Sequence, residues 1–169
     1  MKVTSAQAAK LLKKLNEEYS ALIKKERLSS TFLAASGEDP ESLRPAYDYA
    51  DTQRKLAEIE KKVRTVRHAL NLFNSTHTVP GFDMTVDQIL VYIPQLTSKI
   101  SKLSEMKSKL PKMRVDDRYG KSSNIIDYTY TNYDIAAAEA DYEAASDELA
   151  RAQLALDTLN TTEVFDIEI

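Results

Sequence analysis

Residues 49–73 read YADTQRKLAEIEKKVRTVRHALNLF, and mostly apolar side chains recur in this stretch at alternating steps of three and four residues. The members of this row are Tyr49, Thr52, Leu56, Ile59, Val63, Val66, Leu70 and Phe73. A mean spacing of about 3.5 residues places them in one stripe along an α-helix. Because such a stripe is stable only when it packs against another element, the stretch predicts a long helix with a helical partner.

Three other stretches repeat the same spacing. They run from Ala8 to Leu22, from Val86 to Leu110 with an interruption at Lys107, and from Ile135 to Leu159. The last is rich in alanine, which allows helices to approach one another closely. Four long amphipathic helices predict a mainly α protein, built from long antiparallel helical hairpins or a four-helix bundle with coiled-coil-like packing.

Capping residues, prolines and glycines indicate where the four helices begin and end. Thr4 with Gln7, and Thr85 with Gln88, match the capping-box pattern at the starts of the first and third helices. The expected helices cover about 4–35, 45–75, 85–110 and 135–160. At 169 residues the chain is expected to form a single helical domain over residues 1–169.

Two short segments are typical of β-strands. Residues 124–131 are rich in β-branched and aromatic side chains, and residues 163–169 alternate apolar with acidic side chains to form an extended C-terminal tail. The fourth helix, roughly 38 Å long, should keep the two segments apart. Two alternatives remain: a local hairpin of 113–119 with 124–131, or strand addition between two copies of the chain. For the tail we favour addition between copies.

The composition excludes several kinds of protein. The chain has no cysteine, so disulfides, thiol chemistry and cysteine-ligated zinc are absent. No apolar run approaches the roughly 18 residues of a membrane span, and the N-terminus lacks the continuous apolar core of a signal peptide. We therefore expect a cytoplasmic protein that does not act at membranes.

Charge is distributed unevenly along the chain. Residues 1–121 carry 22 Lys and Arg against 15 Asp and Glu, whereas residues 122–169 carry one Arg against 11 acids. We interpret this difference as pairing of an acidic last helix with basic helices. The basic residues alternate with acids and lack interleaved aromatic side chains, so a nucleic-acid partner is not expected.

The sequence contains no recognisable catalytic set, and we predict no catalytic residue, metal site or cofactor. His68 lies off the main apolar stripe and reads as a surface residue. His77 lies in a loop close to Asn74, and these two residues are candidates for ligand binding. Neither histidine has a glutamate three residues before it, so the Glu-x-x-His pairs of di-iron bundles are missing. Phosphate-binding glycine loops and nucleophile elbows are missing as well.

The order of several short motifs resembles a small bacterial family of uncharacterised helical proteins, some of which are labelled septicolysin. The motifs are GEDPESL, ALNLFNST, DMTVDQIL, DRYGKSSNIIDYT and LALDTLNTTEV. The matched positions are Asn74, Thr76, Thr85, Ile126, Asp157 and Asn160, and this chain has His77 where the family favours a second Asn. The resemblance implies a helical hairpin fold of unknown function, and it adds Asn160 to the binding candidates.

We weigh three hypotheses for the function. The first, which we favour, is a non-enzymatic helical scaffold or protein-interaction protein that forms a homo-oligomer. The second is a small-ligand-binding protein or enzyme with a site near Asn74, His77 and Asn160. The third is a membrane-active, cytolysin-like protein, for which the basic and leucine-rich first helix is the best candidate.

Overall fold

A computed structural model describes residues 1–115 and 126–169 of the chain. In this part the elements are β1 (Lys2–Thr4), α1 (Ser5–Ser29), α2 (Pro40–Leu43), α3 (Tyr49–Thr76), α4 (Val86–Lys107), β2 (Lys112–Arg114), β3 (Tyr128–Tyr130), α5 (Ile135–Thr162) and β4 (Val164–Asp166). Helices make up 67% of the described residues. The prediction of a mainly α fold is therefore confirmed, with two small antiparallel strand pairs added to it.

The chain divides into two compact units. The first comprises residues 1–77 and 158–169, and the second comprises residues 78–157. The four-helix bundle and the single domain over 1–169 stay predictions. Among the described residues, no helix is both long enough and apolar enough to cross a membrane.

The first unit is an antiparallel hairpin of α1 and α3. The Tyr19 hydroxyl donates to Glu60 Oε1 at 3.1 Å, and seven residues later in α1 Glu26 Oε1 accepts from Gln53 Nε2 at 2.7 Å. Because the residue numbers of the contacts rise along α1 and fall along α3, the two helices run in opposite directions. Their buried stripe includes Ala8, Leu15, Leu56, Val66 and Phe73, all members of the rows seen in the sequence.

The first helix is shorter than expected, ending at Ser29 instead of residue 35. Residues 31–35 are all exposed and not helical. Without a buried stripe, this part of the helix has no packing to offset the entropy of ordering it. At the other end the capping box is confirmed, since Thr4 Oγ1 accepts from the Gln7 N–H at 3.3 Å and Gln7 Oε1 accepts from the Thr4 N–H at 3.0 Å.

The tail forms a strand, but its partner is not the one that we favoured. β4 pairs antiparallel with β1 of the same chain, with Val3 opposite Phe165, and the Ile167 N–H donates to the Met1 carbonyl at 2.9 Å. The expectation of tail pairing between copies is thus wrong. The N-terminal residues supply the missing partner, and the pairing buries Val3 and Ile167 in the core cluster of the first unit.

The second unit brings α4 against the part of α5 that precedes residue 158. The Tyr92 hydroxyl donates to Glu148 Oε1 at 2.8 Å near the start of α4, and the Lys107 ammonium lies 4.0 Å from Glu139 at its end. These contacts make the pair antiparallel. Lys107, which interrupts the apolar row, also places its ammonium 4.0 Å from the centre of the Tyr142 ring.

A two-stranded hairpin also belongs to the second unit. β2 pairs antiparallel with β3, with Met113 opposite Thr129. This pairing corresponds to the local-hairpin alternative, although residues 116–125, and with them the expected turn at Gly120-Lys121 and the start of the predicted strand 124–131, lie outside the described residues. Every residue of both strands is exposed.

Candidate functional site

A groove of about 390 Å³ in the first unit contains both histidines of the chain. It lies between the C-terminal half of α3 and the β4 segment. Its lining comprises Thr65, His68, Ala69, Leu72, Phe73, Thr76, His77, Phe165, Asp166 and Glu168. The groove therefore combines an apolar floor with a rim of hydroxyl, imidazole and carboxylate groups.

Phe73 forms the centre of the floor. It is only 2% exposed, and its ring stacks on His77 at 4.0 Å and on Phe165 at 4.8 Å between ring centres. The β1–β4 pairing holds Phe165 in place, because Phe165 lies opposite Val3 in that ladder. The tail strand therefore supplies one wall of the groove and the last turns of α3 supply the other.

Two contacts with the Phe73 carbonyl fix the position of His77. It is the C-cap of α3, and its N–H donates to the Phe73 carbonyl at 3.0 Å. Its Nδ1 lies 3.0 Å from the same carbonyl oxygen. Because a carbonyl oxygen can only accept, Nδ1 carries the proton in this contact. In the neutral ring Nε2 is then the acceptor, so the imidazole can accept a hydrogen bond from a ligand.

The rim is acidic as well as basic. Asp166 and Glu168 line the groove together with His68, and all three are exposed. Among residues 1–115 and 126–169 no three His, Asp or Glu side chains come close enough together to hold a metal ion. The aromatic floor and the imidazole at its edge could hold a small aromatic or apolar compound that carries a hydrogen-bond donor.

Of the three predicted binding residues, only His77 lines the groove. Asn74 precedes it by less than one turn, but its Oδ1 is buried and has no hydrogen-bond partner within the described structure. Asn160 is half-buried in the last turn of α5 and does not line the groove. Both belong to the first unit with His77, and a binding role for them stays a prediction.

Sequence reasoning missed most of the groove. Thr65, His68, Leu72 and Thr76 are spaced by three, four and four residues, which places them on one face of α3 beside the main stripe. This spacing is the signal from which the groove face of α3 could have been predicted. The structure places His68 on that face, so His68 is a groove residue instead of an isolated surface histidine. Nothing in the local sequence connects this face with Phe165, Asp166 or Glu168, because only the β1–β4 pairing brings the tail there.

A second groove, of about 380 Å³, lies at the opposite end of the α1–α3 hairpin. Glu26 Oε1 accepts from the Tyr47 hydroxyl at 2.8 Å as well as from Gln53. The hydrogen bond to Glu26, together with partial burial, raises the pKa of Tyr47 to about 12. Glu26 Oε1, the Tyr47 hydroxyl and Gln53 Nε2 therefore have hydrogen-bond partners within the chain.

One solved structure has a similar fold over almost the whole chain. It is the crystal structure of a functionally unknown conserved protein from Corynebacterium diphtheriae, with a TM-score of 0.58 and 16% identity, covering 98% of this chain and 100% of that one. At this identity the likeness shows the fold alone. No protein-family model and no curated protein matches the sequence. The neighbour is bacterial and of unknown function, as the resemblance implies, but nothing in these comparisons supports the septicolysin label.

Proposed function

We propose that this protein is a non-enzymatic helical interaction protein that self-associates. The observation that carries the proposal is the exposure of the β2–β3 hairpin. A two-stranded hairpin is marginally stable by itself in water and is usually covered on one face. Here large apolar side chains of the hairpin and its flanks are more than a third exposed: Leu110, Met113, Val115, Ile126, Tyr128, Tyr130 and Tyr133.

Neighbouring residues of a strand point to opposite faces, so Tyr128 and Tyr130 share one face of the hairpin and Met113 lies on the other. Exposed apolar surface of this kind marks protein–protein contacts when it is extensive. Aromatic and methionine side chains, which are frequent in this cluster, are also enriched at the cores of interfaces. The cluster therefore supports a protein partner, and a second copy of the chain is the simplest such partner.

Size-exclusion chromatography with light scattering tests this function. We expect a species of at least twice the monomer mass at micromolar concentrations. Dissociation on dilution should follow mass action. A strict monomer over the whole micromolar range would refute self-association.

The 390 Å³ groove that contains His77 favours a second candidate function, the binding of a small aromatic compound. Its floor of Phe73 and Phe165 offers stacking, the Nε2 atom of His77 can accept a hydrogen bond, and Asp166 and Glu168 favour a cation. Tryptamine is a suitable probe, and indole-3-acetate, which carries the opposite charge, is the matched control. We expect tryptamine alone to shift the imidazole NMR resonance of His77, identified with a His68→Gln variant. Equal shifts with both compounds, or none with either, would exclude this candidate.

The resemblance to septicolysin-labelled proteins adds membrane activity as an alternative, which we do not favour. The apolar stripe of α1 is engaged inside the first unit, where Ala8 and Leu15 are buried beside Val66. Insertion of α1 into a bilayer would require this hairpin to open. We expect no dye release from anionic vesicles, and the cytoplasmic location stays a prediction.

A further inference from the structure

The hydrogen-bond pattern of the β2–β3 hairpin shows which backbone groups point away from it. The Val115 N–H donates to the Asp127 carbonyl at 3.0 Å, and the Thr131 N–H donates to the Pro111 carbonyl at 3.1 Å. In an antiparallel ladder, pairs that exchange hydrogen bonds alternate with pairs that do not. Thr129 therefore faces β2, whereas the amide and carbonyl groups of Tyr128 and Tyr130 point outward from β3.

Among the described residues β3 has one neighbouring strand, which is β2. Within residues 1–115 and 126–169 the outer side of β3 is thus a free edge with two donors and two acceptors. Free edges of this kind pair readily with another strand unless charged side chains prevent it.

The two edges of the hairpin differ in charge. β2 carries Lys112 and Arg114, and pairing of this edge with its own copy would set the two cations opposite each other. β3 reads Tyr-Thr-Tyr and carries no charge. Like charges directly opposite one another destabilise a strand pair, whereas aromatic pairs stabilise it. Only the β3 edge is therefore compatible with an identical edge.

We propose that β3 pairs antiparallel with β3 of a second copy across a two-fold axis at Thr129. This inference rests on the proposed self-association and names the surface that produces it. The register is the one that pairs all three residues of each strand. It places Tyr128 opposite the second copy's Tyr130 as a hydrogen-bonded pair, and it sets the two Thr129 residues opposite each other as a non-hydrogen-bonded pair. The product is a four-stranded sheet in the order β2–β3–β3–β2.

This arrangement also uses the side chains of the hairpin. Tyr128 and Tyr130 lie on one face, with 6.4 Å between their ring centres, and the Lys112 ammonium lies 3.9 Å and 5.4 Å from them. The two-fold axis brings the four tyrosines into a two-by-two cluster on one face of the sheet, with Lys112 and Arg114 of each copy on its outer sides. The residues Tyr128 and Tyr130 are 42% and 62% exposed in the single chain, so the pairing removes apolar area from water.

A head-to-tail arrangement, with β3 of one copy against β2 of the next, is the competing geometry. It would place Thr129 opposite Met113 of the neighbouring copy and would continue into open chains instead of stopping at a dimer. The two geometries therefore differ in which residues meet, and cysteine cross-linking can distinguish them.

The natural chain has no cysteine, so single-cysteine variants give unambiguous products. Directly opposite residues in a non-hydrogen-bonded pair have Cα atoms about 4.5 Å apart, which a disulfide can span. We expect Thr129→Cys to form a disulfide-linked dimer in nearly quantitative yield under mild oxidation. Met113 lies in the same hairpin and is 54% exposed, so Met113→Cys is the matched control. This variant should remain monomeric on a denaturing gel.

The outcomes separate the inference from the proposed function. If Thr129→Cys does not cross-link while the natural chain still elutes as a dimer, the β3 edge is wrong and another surface mediates self-association. If Thr129→Cys and Met113→Cys chains cross-link only when mixed, the head-to-tail geometry replaces the two-fold one. If the natural chain is a monomer, both the inference and the proposed function fail.

A charge-exchange experiment tests the same register without oxidation. Thr129→Lys should raise the dimer dissociation constant about fivefold or more, because two lysines would then lie opposite each other. Thr129→Glu should do the same. An equimolar mixture of the two variants should recover the natural affinity as a heterodimer, and Thr129→Val should dimerise normally. Failure of the mixture to recover the dimer would overturn the register.

Discussion

Replacing Phe73 with alanine should destabilise the first unit more than a change at any neighbouring position of α3. The ring is 2% exposed and stacks on both His77 and Phe165, so its removal leaves a cavity between α3 and the tail. Burial of the side chain contributes about 2–3 kcal/mol, and the cavity adds a further cost, for a total loss of about 4 kcal/mol. With a urea m-value of about 2 kcal/mol/M, the unfolding midpoint should fall by about 2 M.

The matched control is Leu72→Ala, one residue earlier in the same helix. Leu72 is 57% exposed, so its replacement should change the free energy of unfolding by no more than about 0.5 kcal/mol. Urea unfolding followed by circular dichroism at the helix band measures both variants. A loss of less than about 1 kcal/mol for Phe73→Ala, or equal losses for the two variants, would contradict the packing of the tail against α3.

Three further predictions concern polar contacts. Thr4→Ala removes the capping box of α1 and should cost about 1 kcal/mol in urea unfolding, whereas Thr4→Ser should restore most of it. Tyr47 has its pKa raised from 10.0 to about 12 by Glu26, so its contribution is complete below pH 10 and is lost as the pH rises towards 12. Spectrophotometric titration should show that Tyr47→Phe removes a phenol ionising near pH 12, and a missing phenol near pH 10 would contradict this. Tyr92→Phe removes the hydrogen bond to Glu148 and should lower the free energy of unfolding by about 0.5–1 kcal/mol, measured by thermal unfolding. If the Tyr92 hydroxyl were instead bonded only to water, the same substitution should leave the stability unchanged.

The helices could be predicted from the sequence because their signal is local and repeated. The stripe from Leu56 to Phe73 and the capping pair at Thr4 each depend on residues within a few turns of one another. The predicted end of α1 is wrong because Phe32 and Leu33 continue the apolar composition of the helix, whereas neither side chain is buried in the structure. Their exposed fractions, 38% and 96%, show that composition alone does not extend a helix.

The strands illustrate the opposite case. The alternation in the tail predicted β4, but a strand pattern does not name its partner, and β1 is only three residues long. A segment of that length carries too little periodicity to be recognised. The candidate groove was only partly predictable for the same reason. His77 could be identified from the sequence, whereas Phe165 reaches the groove because the two ends of the chain pair with each other.

The sequence by itself determined that the chain folds into long helices, that all four of these helices begin within four residues of the predicted positions, and that the tail is extended. These properties depend on short-range spacing, which an amino-acid sequence records directly. Only the tertiary structure decided that the tail pairs with the N-terminal strand, that both histidines line one groove, and that no strand of the described part of the chain pairs with the outer edge of β3. Those properties depend on contacts between residues far apart in the chain, and such contacts are selected by packing and hydrogen bonding in three dimensions rather than by any local pattern.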